Sequence, residues 1–123
     1  MVNVESNMCN NKSDIAVLSA LNKELTKNQG VDIVILDVSK QSSCFSYFII
    51  ATGNSPAHIT SLSKEAKRIF GACGFTLRST EGKQSGKWVL LDFGSIVVHL
   101  FDRESRGFYN LERVWADTKR VEV

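Results

Sequence analysis

The sequence predicts a mixed α/β domain: a sheet of about five strands with flanking helices. Three observations predict it. Two segments repeat their apolar residues with the helical period of 3.6, around Ile15–Leu25 and Ile59–Cys73. Short runs rich in β-branched and aromatic residues stand between and after them. The strongest two, Trp88 to Phe93 and Ile96 to Phe101, are separated only by Gly94-Ser95 and read as an antiparallel hairpin. The expected order is α-β-β-α-β-β-β-α.

Taken in order, residues 1–12 are polar and Asn-rich and read as a frayed tail. Ser13 or Asp14 can cap a first helix whose stripe is Ile15, Leu18, Leu21 and Leu25, widened by Val17. Gly30 is the expected left-handed stop. Val31 to Val38 and Phe45 to Ala51 are strands, joined by the polar stretch Ser39 to Ser43. In Thr52-Gly53-Asn54-Ser55-Pro56, Asn54 or Ser55 supplies a cap oxygen and Pro56 sits where a missing N–H costs nothing. The helix that follows carries Ile59, Leu62, Ala66, Ile69, Phe70 and Cys73 on one face and ends at Gly71 and Gly74. Thr76 to Thr80 alternates as a strand and leads through a turn at 81–86 into the hairpin. A last helix is expected from Glu104 to Asp117, at least in its second half, and 118–123 reads as a C-terminal tail. With no repeat, linker or composition break, 13–117 is one domain, and the β-α-β passage through 45–80 is expected to make a right-handed crossover.

The totals exclude several classes. At 123 residues, 43% apolar and 23% charged, the chain is ordinary globular material and not disordered or fibrous. A net charge of +2 is too small to announce a nucleic-acid binder. Lys64, Lys67 and Arg68 form a local basic patch that reads first as solvated helix surface. The three cysteines, Cys9, Cys44 and Cys73, show no CxxC pair and no disulfide framework, which fits a reducing compartment. The N-terminus lacks an apolar signal core, and no run is long enough to span a bilayer, so a cytoplasmic protein without membrane contact is expected.

Candidate chemistry is thin. Gly82-Lys83-Gln84-Ser85-Gly86-Lys87 has three residues between its glycines where a phosphate loop needs four, and a strand follows it. Asp92-Phe93-Gly94 spells the kinase metal-binding tripeptide without the rest of a kinase. His58 and His99 have no metal partner at helical spacing, and no metal or cofactor is expected. A catalytic Cys–His pair from Cys44 or Cys73 would have to meet in space, and Cys73 on an apolar helical face reads as a small hydrophobe. Asp32 and Asp37 bracket a strand on opposite faces, about 16 Å apart, too far to share one ion. They suit caps and turns. A metal-dependent nucleotidyl- or phosphoryl-transferase is therefore the weaker alternative.

Both tryptophans and three of the seven phenylalanines lie between Gly86 and Asp117. Period two puts Val89, Leu91 and Phe93 on one face, suited to a core, and Trp88, Leu90 and Asp92 on the other. The residues alone leave Trp88 two roles, core packing or a partner-binding hot spot. Tyr109 and Trp115 read as packing the last helix onto the sheet.

The run GKWVLLDFGSIVVHLFDRESRGFYNLERVWAD resembles the signature of the ribosomal silencing factor, or Iojap, family. The resemblance extends through Val34-Ile35-Leu36-Asp37-Val38-Ser39, Tyr47 to Ser55 and Glu81-Gly82, covering roughly 14–117. Its core is the combination GxWVLLDxG, VVHxF and FYxLExxW. The resemblance implies a nucleotidyltransferase-like but non-catalytic α/β fold. It implies binding to the large ribosomal subunit through the interface protein conventionally numbered fourteen, blocking small-subunit joining and repressing translation. Family members also associate with large-subunit maturation and form homodimers off the ribosome. By position, partner binding is carried to Trp88, Leu90 and Asp92, with Tyr109 and Glu112 contributing. Two departures stand out: Ser46 and Ser95 occupy positions where the family usually has acids.

Overall fold

In a computed structural model, the described residues are 14–82, 87–109 and 118–123, with backbone only at 108 and 109. The elements run α1 (Asp14–Lys27), β1 (Val31–Asp37), β2 (Tyr47–Thr52), α2 (Pro56–Ala72), β3 (Ser79–Glu81), β4 (Trp88–Asp92), β5 (Ile96–Phe101), α3 (Arg103–Tyr109) and β6 (Lys119–Arg120). They build one mixed sheet of six strands in the order β3-β4-β5-β2-β1-β6. Every neighbouring pair is antiparallel except β2 and β5, which run parallel with Tyr47 opposite Ile96 and Thr52 opposite Phe101. The passage from β2 through α2 thus leads to β3, parallel to β2 but separated from it by β4 and β5.

Strand alternation divides the apolar residues between two faces. One face packs on α1 and α2: Val17, Leu18, Leu21, Leu25, Ile59, Leu62, Ala66, Ile69 and Phe70 meet Ile49, Val89, Leu91, Phe93, Ile96, Val98 and Leu100. Phe70 stacks on Phe93 with centroids 4.1 Å apart. The other face carries Leu36, Phe48, Ile50, Val97 and Phe101, with Val34, Trp88 and Leu90 half-buried against them. Arg68 of α2 pairs with Glu65 (Nε to Oε2, 3.1 Å) and reaches Glu24 of α1 at 3.4 Å. Part of the expected basic patch is thus spent on joining the two helices.

The helix ends follow from local chemistry. The Ser55 hydroxyl accepts the His58 N–H at 3.0 Å, and Pro56 takes the first helical position of α2. At its far end the Gly74 N–H donates to Gly71 and the Phe75 N–H to Phe70, with Gly74 at φ +84°. The same double bond closes α1, but there Gln29, at φ +68°, is the left-handed residue and not Gly30. Gly30 is needed for a different reason: a Cβ there would lie 3.0 Å from the Leu25 carbonyl oxygen.

Other expectations need correction. Ile15 is 42% exposed, because the buried stripe of α1 rotates onto Val17, Leu18, Ala20 and Leu21. The strand expected at 76–80 forms at Ser79–Glu81, where β4 offers Leu90 to Asp92 as partners. The sheet has six strands because Lys119 and Arg120, within the expected tail, pair with Asp37 and Leu36. The last helix occupies Arg103–Tyr109; its expected second half lies outside the described residues, as does the 1–12 tail. Cys44 is a free, exposed thiol; Cys73 is buried among the apolar core residues, as its reading as a small hydrophobe expects, but it is disulfide-bonded where no disulfide was expected. Among the described residues no helix is long and apolar enough to cross a membrane.

Candidate functional site

Trp88, Leu90 and Asp92 lie on one face of β4 and are all half-buried, while Val89 and Leu91 between them are enclosed. Trp88 is neither a core residue nor a loose one. Its ring stacks on Phe101 of β5, centroids 5.1 Å apart and planes at 23°, and its Nε1–H donates to His99 Nδ1 at 3.3 Å. Phe48 of β2 meets His99 edge-on, with centroids 4.9 Å apart. Strand pairing sets this ladder, since Trp88 lies opposite Phe101 and Leu90 opposite His99.

The start of β4 is fixed by Gly82. It has φ +77°, and a Cβ on it would be driven onto the carbonyl oxygen of Trp88. Only glycine lets the chain at position 82 approach the Trp88 backbone that closely. At the other end of β4, Asp92 Oδ1 accepts the Gly94 N–H at 2.8 Å, so this carboxylate also ties the hairpin turn. Asp37 has a parallel duty, accepting from the Ser39 N–H at 3.0 Å and the Ser39 hydroxyl at 2.6 Å. Those bonds hold its carboxyl below the usual carboxylate range.

His99 is the most unusual group on this face. It is 4% exposed, and burial lowers its imidazole from 6.5 to about 4. Because Nδ1 accepts from the indole, the ring is neutral and its proton sits on Nε2. Nε2 is buried and makes no hydrogen bond among the described residues. An unmade bond at a buried donor costs about 1–3 kcal/mol, and such atoms are rare in folded proteins. His99 also lines an open depression of about 280 Å³ walled by Phe45, Phe48, Leu90 and Val97, with Glu81 and Asp92 among its lining.

The period-two pattern thus put Trp88, Leu90 and Asp92 on one strand face, as found, but did not show Gly82, Phe48 and His99 as their supports. The available signals were a glycine six residues before the tryptophan and a histidine inside an otherwise apolar strand. Tyr109 ends α3, its side chain outside the described residues; Glu112 and Trp115 lie outside them altogether. Ser46 and Ser95, the two departures from the family pattern, prove to be neighbours: the Ser46 N–H donates to the Ser95 carbonyl at 2.7 Å. Both acids are therefore absent from one spot, where β2 and β5 begin side by side.

The other histidine is structural. His58 Nδ1 accepts the Asn54 N–H at 2.8 Å, which leaves Nε2–H to donate to the Asn28 carbonyl, also at 2.8 Å. It clamps the loop after α1 to the loop before α2. Among the described residues no group of three His, Cys, Asp or Glu side chains is arranged to hold a metal ion.

Comparison with known proteins agrees with this architecture. The sequence model described as "Ribosomal silencing factor during starvation" matches residues 11–123. A ribosomal silencing factor of Zymomonas mobilis is 38% identical over 100 residues, spanning 80% of this chain and 74% of that protein. One from Bacillus subtilis is 35% identical over 92 residues, 75% of this chain and 78% of the relative. A crystal structure of a Chromobacterium violaceum protein superposes with a TM-score of 0.80 at 32% identity, covering 85% of this chain and 87% of that one. With a match across nearly its whole length, the chain belongs to the ribosomal silencing factor family.

Proposed function

We propose that the protein represses translation by docking the Trp88 face of its sheet on the large ribosomal subunit, at the interface protein numbered fourteen, so that the small subunit cannot join. The observation that carries this reading is the half-buried indole of Trp88, locked by Phe101 and His99 yet still open to solvent. Aromatic anchors of this kind dominate protein interfaces, and a pre-ordered one loses little rotamer freedom on docking. Leu90 and Asp92 extend the surface along β4, with Tyr109 and Glu112 contributing from the segment after β5. The action is occupancy: a typical interface for a domain of this size buries about 1,200–2,000 Å² summed over both partners, and no bond need be made or broken.

The test is co-sedimentation of a tagged copy with purified large subunits, with and without the interface protein. Trp88→Ala is expected to weaken binding by about 2 kcal/mol, roughly 30-fold, while the domain still unfolds cooperatively. Normal binding by a folded Trp88→Ala protein would overturn the assignment. ATP with magnesium is expected to leave the melting temperature unchanged; a nucleotide-induced rise would favour a transferase instead.

A further inference from the structure

We propose that the depression beside His99 is a specificity pocket that takes a side-chain carboxamide, from an asparagine or glutamine of the docked partner. The inference rests on the docking proposed above and names the group read at its centre. Its basis is the buried Nε2–H of His99, a donor whose direction is fixed because Nδ1 already accepts from the Trp88 indole. His99 itself lines a depression of about 280 Å³, roomy enough for one side chain. Phe48 and Leu90 supply apolar walls, and the carboxylates of Glu81 and Asp92 belong to the same lining.

The lining selects the ligand by elimination. A carboxylate would accept from Nε2–H but meet two acidic groups. A guanidinium or ammonium would suit Glu81 and Asp92 but has no acceptor for the imidazole. A carboxamide does both: its oxygen accepts from His99, and its NH₂ donates to a carboxylate. Its flat face suits the space between Phe48 and Leu90. Leu90 and Phe45, which line the same depression, are only half-buried and so keep some freedom to change rotamer.

The experiment compares His99→Asn, His99→Gln and His99→Phe, with Trp88→Ala alongside, in co-sedimentation with purified large subunits. Each variant is first shown to unfold cooperatively in urea. Asn keeps an acceptor for the indole but places no donor at Nε2, and Phe removes both, so each is expected to weaken binding at least tenfold. Gln restores a donor near Nε2 and is expected to recover most of that loss. If His99→Phe binds as the parent does while Trp88→Ala does not, the pocket is wrong and the docking face stands. If neither substitution matters, the docking reading itself fails.

A second measurement needs no ribosome and no variant. Acetamide, titrated into the ¹⁵N-histidine-labelled protein, is expected to shift the His99 Nε2 resonance in a saturable manner, whereas guanidinium and acetate are not. An unmoved Nε2 signal with acetamide, or an equal response to all three, overturns the proposal.

Discussion

Gly82→Ala separates two reasons for a glycine, because the fold contains its own control. Gly82 and Gly74 both have left-handed backbones, at φ +77° and +84°. Around Gly74 a Cβ would meet nothing within 4 Å, so Gly74→Ala carries only the conformational cost, about 1–2 kcal/mol. At Gly82 the same methyl is driven onto the Trp88 carbonyl oxygen, a backbone atom that cannot rotate away. Relief requires β3 to move off β4, giving up the pairing of Glu81 with Leu90 and Thr80 with Leu91. Losing two or three ladder bonds adds about 2–3 kcal/mol, for a total of about 3–5 kcal/mol. Urea unfolding of both variants at matched slope measures the difference. A Gly82→Ala protein within about 1 kcal/mol of Gly74→Ala would refute the reasoning, since the turn would then tolerate a side chain over Trp88. The expected loss should also carry through to subunit binding, because the displaced backbone is that of the anchor itself.

Three further outcomes are expected. His99→Phe should flatten part of the acid dependence of stability: below about pH 6.5 the unfolded chain gains a proton at His99 that the folded chain refuses until about pH 4. Stability therefore falls as pH drops across that window, by about 3 kcal/mol from this group, and urea titrations of parent and variant at pH 7 and pH 4 should differ by that amount. His58→Ala removes both bonds that clamp Asn28 to Asn54 and should cost about 1–2 kcal/mol, read as a lowered melting temperature. Gly71→Ala, inside α2 with open space around its Cβ position, should raise stability by about 0.5–1 kcal/mol.

Local signals in the sequence reached as far as local causes do. Ser55-Pro56 declared the start of α2, and alternation in Trp88–Asp92 sorted that strand between its two faces, because caps and pleats are set by adjacent residues. The left-handed residue closing α1 was misplaced by one position, since glycine is the usual choice there and Gln29 takes the strain while Gly30 clears a carbonyl. β6 was illegible because a two-residue edge strand is held by backbone pairing and needs no side-chain pattern. Sheet order was equally hidden: the pairing of β2 with β5 joins residues nearly fifty positions apart. The site inherits that limit. Trp88, Leu90 and Asp92 could be grouped from one strand, but the depression draws on β2, β3, β4 and β5.

The rings on the second face explain why a surface anchor can sit on so apolar a patch without becoming part of the core. Phe48, His99, Phe101 and Trp88 come from three strands, and each contact is offset or edge-on, the arrangement in which aromatic pairs attract. An aliphatic set of equal area would fill the same space but would hold the indole in no particular orientation. The polar link in the ladder is His99, and it faces both ways. One nitrogen fixes the tryptophan, and the other is left without a partner among the described residues. Burial keeps the ring neutral, so Nδ1 remains an acceptor at physiological pH and the indole stays locked. The cost of that orphaned N–H falls on the free protein and is relieved only when an acceptor arrives. Whatever supplies the acceptor is therefore favoured over a partner that covers Trp88 alone, which converts a general hydrophobic patch into a selective one.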